Sequence, residues 1–168
     1  MRRDTFKALG SPSELSLYEL IESKHGILGI SNDISYAKEI DKILNQFQGS
    51  KQIKVNYAGN ITKNLFAMLL INRIDFVIDF PPEGKYAAEL LNAREQVISV
   101  PIKEHMTLSA SHTLCPQNAW GKAVIANIDK ALLKLRLQPN WRKGYENVID
   151  AQLVPLYRKK YNDLLFPN

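Results

Sequence analysis

Residues Gly59–Glu83, GNITKNLFAMLLINRIDFVIDFPPE, place a helix, a tight reversal and a short apolar strand in direct succession. Asn60 or Thr62 is suited to accept the free N–H groups at the helix start. Leu65, Phe66, Leu69 and Leu70 fall on one face at helical spacing. Asn72 tolerates left-handed backbone and is placed to close the helix. Asp75–Phe80, DFVIDF, follows as a run of strand type, and Pro81-Pro82 cannot continue a ladder. A strand that stops before a loop is where open α/β sheets hold ligands. The stretch therefore predicts a binding edge as well as a fold.

The same alternation extends outward from it. Upstream, Met1–Lys7 reads as extended and Gly10–Ser13 as a turn. Ser16 and Glu19 form an S-x-x-E capping box over a helix at 16–23. Gly26–Ser31 (GILGIS) reads as a strand buried on both faces. A helix capped by Asn32 or Asp33 then runs to Phe47, with Ala37, Ile40, Ile43, Leu44 and Phe47 as its apolar stripe. Gln52–Tyr57 alternates inward through Ile53, Val55 and Tyr57. Downstream, Glu83–Asn92 is helical with Tyr86, Leu90 and Leu91 as its apolar residues. Gln96–Ile102 and Met106–Thr113 read as two late strands. Asn118–Leu137 is the longest helix, with Trp120, Val124, Ile125, Ile128, Leu132 and Leu135 in register. Trp141–Phe166 is helical on both sides of Pro155, which suits a first helical turn. Alternation of strands and helices predicts α/β: an open, mostly parallel sheet flanked by helices, followed by C-terminal helices that need something to pack on.

Composition narrows the function classes. The chain has 168 residues, 45% hydrophobic and 23% charged, the balance of an ordinary globular domain. No apolar run approaches the ~20 residues of a membrane helix, and Phe6–Leu9 is too short for the core of a signal peptide. The single Cys115 excludes an intrachain disulfide and disfavours a cysteine metal site. The net charge of +5 is local: residues 119–168 carry 9 Lys+Arg against 4 Asp+Glu, while residues 1–118 balance at 13 each. No helix-turn-helix, zinc or RNA-recognition signature accompanies that charge, so solvated helix faces are favoured over nucleic acid as a partner. No Walker loop, G-x-S-x-G elbow, G-x-G-x-x-G or H-E-x-x-H occurs, and neither a metal, a cofactor nor an enzymatic activity is expected.

The order of pieces resembles the second lobe and C-terminal helices of type 2 periplasmic solute-binding proteins, family 3. Met1-Arg2-Arg3-Asp4 is similar to the strand that crosses between lobes, and Leu15–Leu20 to the helix that opens the second lobe. Leu28-Gly29-Ile30-Ser31 with Ser35-Tyr36 is similar to the strand and helix start that grip the ligand. Asn72-Arg73-Ile74-Asp75 stands where the family has Gly-Arg-hydrophobic-Asp, and Trp120–Ile125 resembles its penultimate helix. The resemblance implies a periplasmic-binding-protein type 2-like lobe over 1–107 with crossover segments at both ends. Residues 108–168 are then a strand and helices that would pack on a first lobe not encoded here, so a partial protein is expected. It further implies a periplasmic, non-enzymatic solute-binding domain, a transporter or sensor as partner, and room for a homo-oligomer through the C-terminal helices. Amino-acid binders of the family carry an Asp where this chain has Phe80, with Asp79 one residue early. A one-residue slip turns a strand side chain to the other face, so the expected solute is small and polar rather than an amino acid. A cytosolic effector-sensing domain and an accessory domain of a cell-wall lyase are the alternatives.

The candidate ligand-binding residues are Asp33, Ser35, Tyr36, Asp79, Phe80 and Glu83. The first three open a helix directly after a strand, where free N–H groups favour a carboxylate or phosphate; capping by Asp33 or Ser35 is the plainer role. Asp79 or Glu83, with Phe80, would contact a cationic or hydroxylated ligand. Asp75 reads as structural, paired with Arg73 or capping a turn. Trp120 and Trp141 read as packing anchors.

Overall fold

In a computed structural model of the chain, which describes residues 1–32, 34–57, 61–105 and 112–165, Leu28–Ser31 (β1) is paired on both edges. Ile53–Asn56 (β2) lies on one side and Phe76–Val77 (β3) on the other, both parallel to it. The protein is therefore mixed α/β, built on a small open sheet of order β2-β1-β3. The chain divides into two compact units, Met1–Met106 and Thr107–Asn168, and the sheet belongs to the first.

Side-chain alternation distributes the sheet between two apolar clusters. Leu28, Ile30, Phe76 and Ile78 face Leu17, Leu20 and Ile21 of α2 (Leu17–Glu22) and Ile40 and Ile43 of α3 (Lys38–Gln46). On the other face, Ile27 and Val77 meet Leu65, Phe66 and Leu69 of α4 (Ile61–Leu70) and Ala87 and Ala88 of α5 (Pro81–Leu90). Each fully buried Leu or Ile contributes about 1.5–3 kcal/mol, so both faces hold the sheet. Gly29 points at α4, where an added Cβ would collide with the Cδ1 of Ile74. Only glycine lets Ile74, itself 0% exposed, close over β1.

Asn72 closes α4 as its residue type predicts, at φ +60°. The amide of Arg73 donates to Met68 O (2.9 Å) and that of Asn72 to Leu69 O (3.3 Å), the paired bonds of a Schellman end. Asn92, at φ +52°, ends α5 in the same way through Ala93 N to Ala88 O. Thr62 falls inside α4 rather than at its cap, and Asn60 lies outside the described residues.

Several expectations are corrected. Met1–Lys7 is not extended: Arg3–Ala8 (α1) is helical, because only Arg2 finds a strand partner, an antiparallel bridge to Val97. The stretch read as a strand at 96–102 instead begins with a 3-10 turn at Arg94–Gln96 and keeps only single bridges, Arg2 with Val97 and Leu15 with Ile102. The strand expected at 106–113 falls mostly outside the described residues. DFVIDF contributes two strand residues, not six, and Tyr57 is 76% exposed beyond the end of β2. Pro81 and Pro82 open α5 as its first residues, where a missing N–H costs nothing. The buried face of α5 is Gly84, Ala87 and Ala88, while Tyr86 and Leu90 are exposed. Small residues win there because α5 lies against the Phe66 ring, whose Cζ would stand 3.0 Å from a Cβ at Gly84.

Arg2 ties the segment before α1 to the sheet. Its Nη1 donates to Leu69 O (2.8 Å) and Ile74 O (3.1 Å), and its Nη2 lies 3.4 Å from Asp75 Oδ1. Asp75 in turn accepts the Ile27 amide at 2.8 Å. Its cationic partner is thus Arg2, where the sequence suggested Arg73.

In the second unit, Ala119–Leu135 (α6) is capped by Asn118, which accepts from the Gly121 amide at 2.8 Å. Pro139–Glu146 (α7) and Val154–Leu165 (α8) follow, with Pro155 in the first turn of α8. Arg158 holds Glu146 through two bonds of 2.9 and 2.7 Å, and the Tyr145, Tyr157 and Tyr161 rings stack at 4.7 and 5.7 Å. Trp120 and Trp141, expected as packing anchors, are 64% and 42% exposed. Among the described residues of this unit, Ile149 is the one apolar side chain that is buried.

The start of α2 has two caps. Ser16 Oγ accepts from the Glu19 amide (3.2 Å), as the S-x-x-E spacing predicts. Glu104 then accepts from Ser16 Oγ (2.7 Å) and from the amides of Leu17 (2.9 Å) and Tyr18 (3.2 Å). Burial alone would raise the Glu104 carboxyl; these bonds outweigh it and hold the group below its ordinary value. Its stabilisation is present above the ordinary glutamate pKa of 4.5 and is lost as pH falls through the lower folded value. Glu104→Gln should cost about 1–2 kcal/mol at neutral pH, measured by urea unfolding. The variant should also lose part of the wild-type decline in stability below the ordinary glutamate range.

Candidate functional site

The order β2-β1-β3 fixes where the chain opens. After β1 it passes to α3 on one face of the sheet, and after β3 it passes to α5 on the other. In open α/β sheets, two parallel neighbours whose following helices diverge mark the position at their carboxyl ends where ligands bind. The loops bordering it are Asn32–Ala37 after β1 and Ile78–Phe80 after β3.

The first loop is occupied by the protein's own groups. Helix α3 begins at Lys38 and not at Asn32 or Asp33. Asp41, in its first turn, reaches back to accept from Ser35 Oγ and, at 2.9 Å, from the Tyr36 amide. Hydrogen bonding from Ser35 and from the amides of Tyr36 and Ala37 holds Asp41 below its ordinary value, against the opposing effect of burial. Glu39 adds a second carboxylate to that turn. An anion at this helix start would meet the Asp41 and Glu39 carboxylates, and the Tyr36 and Ala37 amides are already turned to Asp41. Tyr36 folds back over β1 and packs on the α3-side cluster, its oxygen accepting from the Ser31 amide at 2.8 Å. Asp33 lies outside the described residues.

The second loop carries the charged pair. Asp79 follows Val77 by two residues and so faces the α4–α5 side of the sheet. There it meets Glu83, in the first turn of α5. Asp79 Oδ1 accepts from the Phe80 amide at 2.9 Å. Oδ2 is buried with no N–H or hydroxyl donor, and its neighbour is the Glu83 carboxyl, which bonds to it only when one of the two is protonated. Burial first, and Glu83 second, push Asp79 up to about 7, against the pull of the Phe80 amide. Asp79 therefore keeps its proton to near neutrality.

Around this pair the backbone offers little to an anion. Pro81 and Pro82 occupy the first helical positions and carry no N–H. The Gly84 amide is spent on Phe80 O at 3.0 Å. Phe80 itself is 56% exposed at the rim. The structure thus assembles Asp79, Phe80 and Glu83 on one loop and Ser35 and Tyr36 on the other, with Ser35 turned to Asp41. Asp41 went unsingled in the sequence although it stands at helical spacing from Lys38 and Ala37; its role needs the loop to fold back, which no local pattern encodes.

The chain gives no significant match to protein-family models, to curated proteins or to solved structures.

Because folding raises the Asp79 pKa, its contribution to stability is greatest below the ordinary aspartate value of 3.8 and is lost as pH rises to about 7. Between those limits stability should fall with pH at a slope below about 1.4 kcal/mol per unit, reduced by partial solvent screening. Asp79→Asn should flatten that slope, and Glu83→Gln should lower the Asp79 midpoint, both readable by carboxyl-carbon NMR and urea melts. An Asp79 midpoint near 4 in the wild-type chain would contradict the arrangement.

Proposed function

We propose that residues 1–106 form one jaw of a periplasmic-binding-protein type 2-like clamp, a non-enzymatic domain that takes a small cationic or hydroxylated solute. What supports this most is the switch in strand order at the carboxyl ends of β1 and β3, a position bordered by the Tyr36 loop and the Asp79–Glu83 segment. Its chemistry is acceptor-rich: it brings the Asp79 and Glu83 carboxyl groups, with Pro81 and Pro82 lacking N–H at the start of α5 and the Tyr36 and Ala37 amides turned to Asp41. An ammonium or a polyhydroxy solute supplies the donors that such a site lacks. The exposed Phe80 ring adds an apolar or cation–π wall.

The ends of the unit support the same reading. Met1 and Ile98 exchange backbone bonds of 3.1 and 2.9 Å, and Leu15 is bonded to Pro101 O (2.9 Å) and Lys103 N (2.8 Å). Two chain passages therefore run side by side at one end of the lobe, as connections to a second, hinged jaw would. The reading carries with it an extracytoplasmic location and a transporter or sensor as partner.

One jaw buries only part of a ligand that a closed pocket would bury to ~70–90%. The full chain should therefore show no submillimolar affinity for amino acids by calorimetry. In NMR titrations, an organic ammonium or a polyol at millimolar concentration should shift the amides of 31–36 together with those of 78–80 and 83, and Asp79→Asn should abolish the shifts. Tight amino-acid binding, or shifts confined to one loop, would overturn the proposal.

A further inference from the structure

The corner between α6 and α7 is a second surface with its own chemistry. Over residues 133–143, LKLRLQPNWRK, Leu133, Leu135, Leu137 and Trp141 are 66%, 45%, 65% and 42% exposed. The same stretch holds Lys134, Arg136, Arg142 and Lys143 and not one Asp or Glu. Arg142 is held by Glu146 at 2.8 Å. Lys134, Arg136 and Lys143 are exposed, and no ion pair engages them among the described residues.

The apolar side chains do not line one groove. Leu133 and Leu135 are two positions apart on a helix, about 200° around it, Leu137 lies in the turn and Trp141 in α7. The apolar surface wraps the corner, with cations between its members. We propose that the α6–α7 corner docks on an anionic lipid surface, with Leu133, Leu135, Leu137 and Trp141 entering the interface and Lys134, Arg136 and Lys143 meeting the head groups.

Charge and shape select this partner. A second copy would set one acid-free cationic corner against another, and like charges oppose that contact. A nucleic acid rewards the cations and a stacking ring but leaves the leucines in water. A groove in a partner protein takes apolar residues from one helix face. A fluid interface accepts them on every side, keeps the tryptophan at head-group depth and lets Lys and Arg reach the phosphates. The arrangement is independent of the solute-binding reading.

Trp120 and Trp141 are the only tryptophans of the chain, and Trp120 stands roughly 20 Å up α6 from its end, so emission reports the corner directly. The full chain is mixed with phosphatidylcholine vesicles, with and without phosphatidylglycerol. Expected are co-sedimentation and a blue shift with the anionic vesicles only, weakened by salt, retained in Trp120→Phe and lost in Trp141→Phe. The triple change K134E, R136E, K143E should weaken partition at least roughly tenfold, given three head-group contacts, with circular dichroism unchanged. Should that variant fail to fold, Leu137→Ser and the salt titration of the wild-type chain read the two halves of the proposal separately. Equal binding to neutral vesicles, no binding to either, a shift that follows protein concentration without lipid, or tighter binding to an oligonucleotide than to vesicles would each overturn it.

Discussion

The backbone groups of Leu28–Ser31 are shared between two parallel neighbours, and the architecture of residues 1–106 follows from that sharing. A parallel strand cannot be reached by a tight turn, so each neighbour demands a helical crossover. With β2 on one edge and β3 on the other, the crossovers cover opposite faces, and each face acquires its own apolar cluster. Gly29 makes the middle position workable, because Ile74 occupies the space a side chain would need. The same order sends the chain from β1 and from β3 to opposite faces at the carboxyl edge, the position where open α/β sheets bind ligands.

What the sequence disclosed follows from how local each signal is. Ser16, Asn72 and Pro155 carry their structural meaning in their own backbone preferences, and all three act in the structure as those preferences require. The mixed α/β character was equally legible, since apolar runs alternated between strand and helix periods. Other elements depend on residues distant in the chain. Glu104 caps α2 from beyond the last bridge of the lobe, and Arg2 satisfies carbonyls at the end of α4. Neither partner could be named without the fold. The misjudged face of α5 has the same origin: Tyr86 and Leu90 look like a core stripe, but the Phe66 ring leaves room only for Gly84 and the alanines.

The candidate site shows a similar division. The expectation of a binding edge rests on a strand ending at two prolines, and that of an anion on a helix start after a strand. A helix start after a strand ordinarily offers amides to an anion. Here Asp41 takes the Tyr36 and Ala37 amides on one side, and on the other Pro81 and Pro82 carry no N–H. Asp79 completes the effect, since Val77 commits its face to the α4–α5 side and brings it against Glu83. Burial, with the Glu83 carboxyl beside it, keeps Asp79 protonated to about 7.

Residues 112–165 pose the opposite problem from the sheet. Their helices have caps, an arginine–glutamate clasp and a stack of three tyrosines, which are local devices that fix helix ends and neighbours. Buried apolar area is what ordinarily supplies helical stability in proteins, and among the described residues this unit buries Ile149 alone. Val124, Ile125, Ile128 and Leu132 of α6 are half-covered, and Trp120 and the α6–α7 corner face water. Polar residues at the exposed leucine positions would improve solubility without loss of any internal contact. That the exposed positions are instead leucine and tryptophan, set among cations with no acid between, argues that this surface meets something other than water.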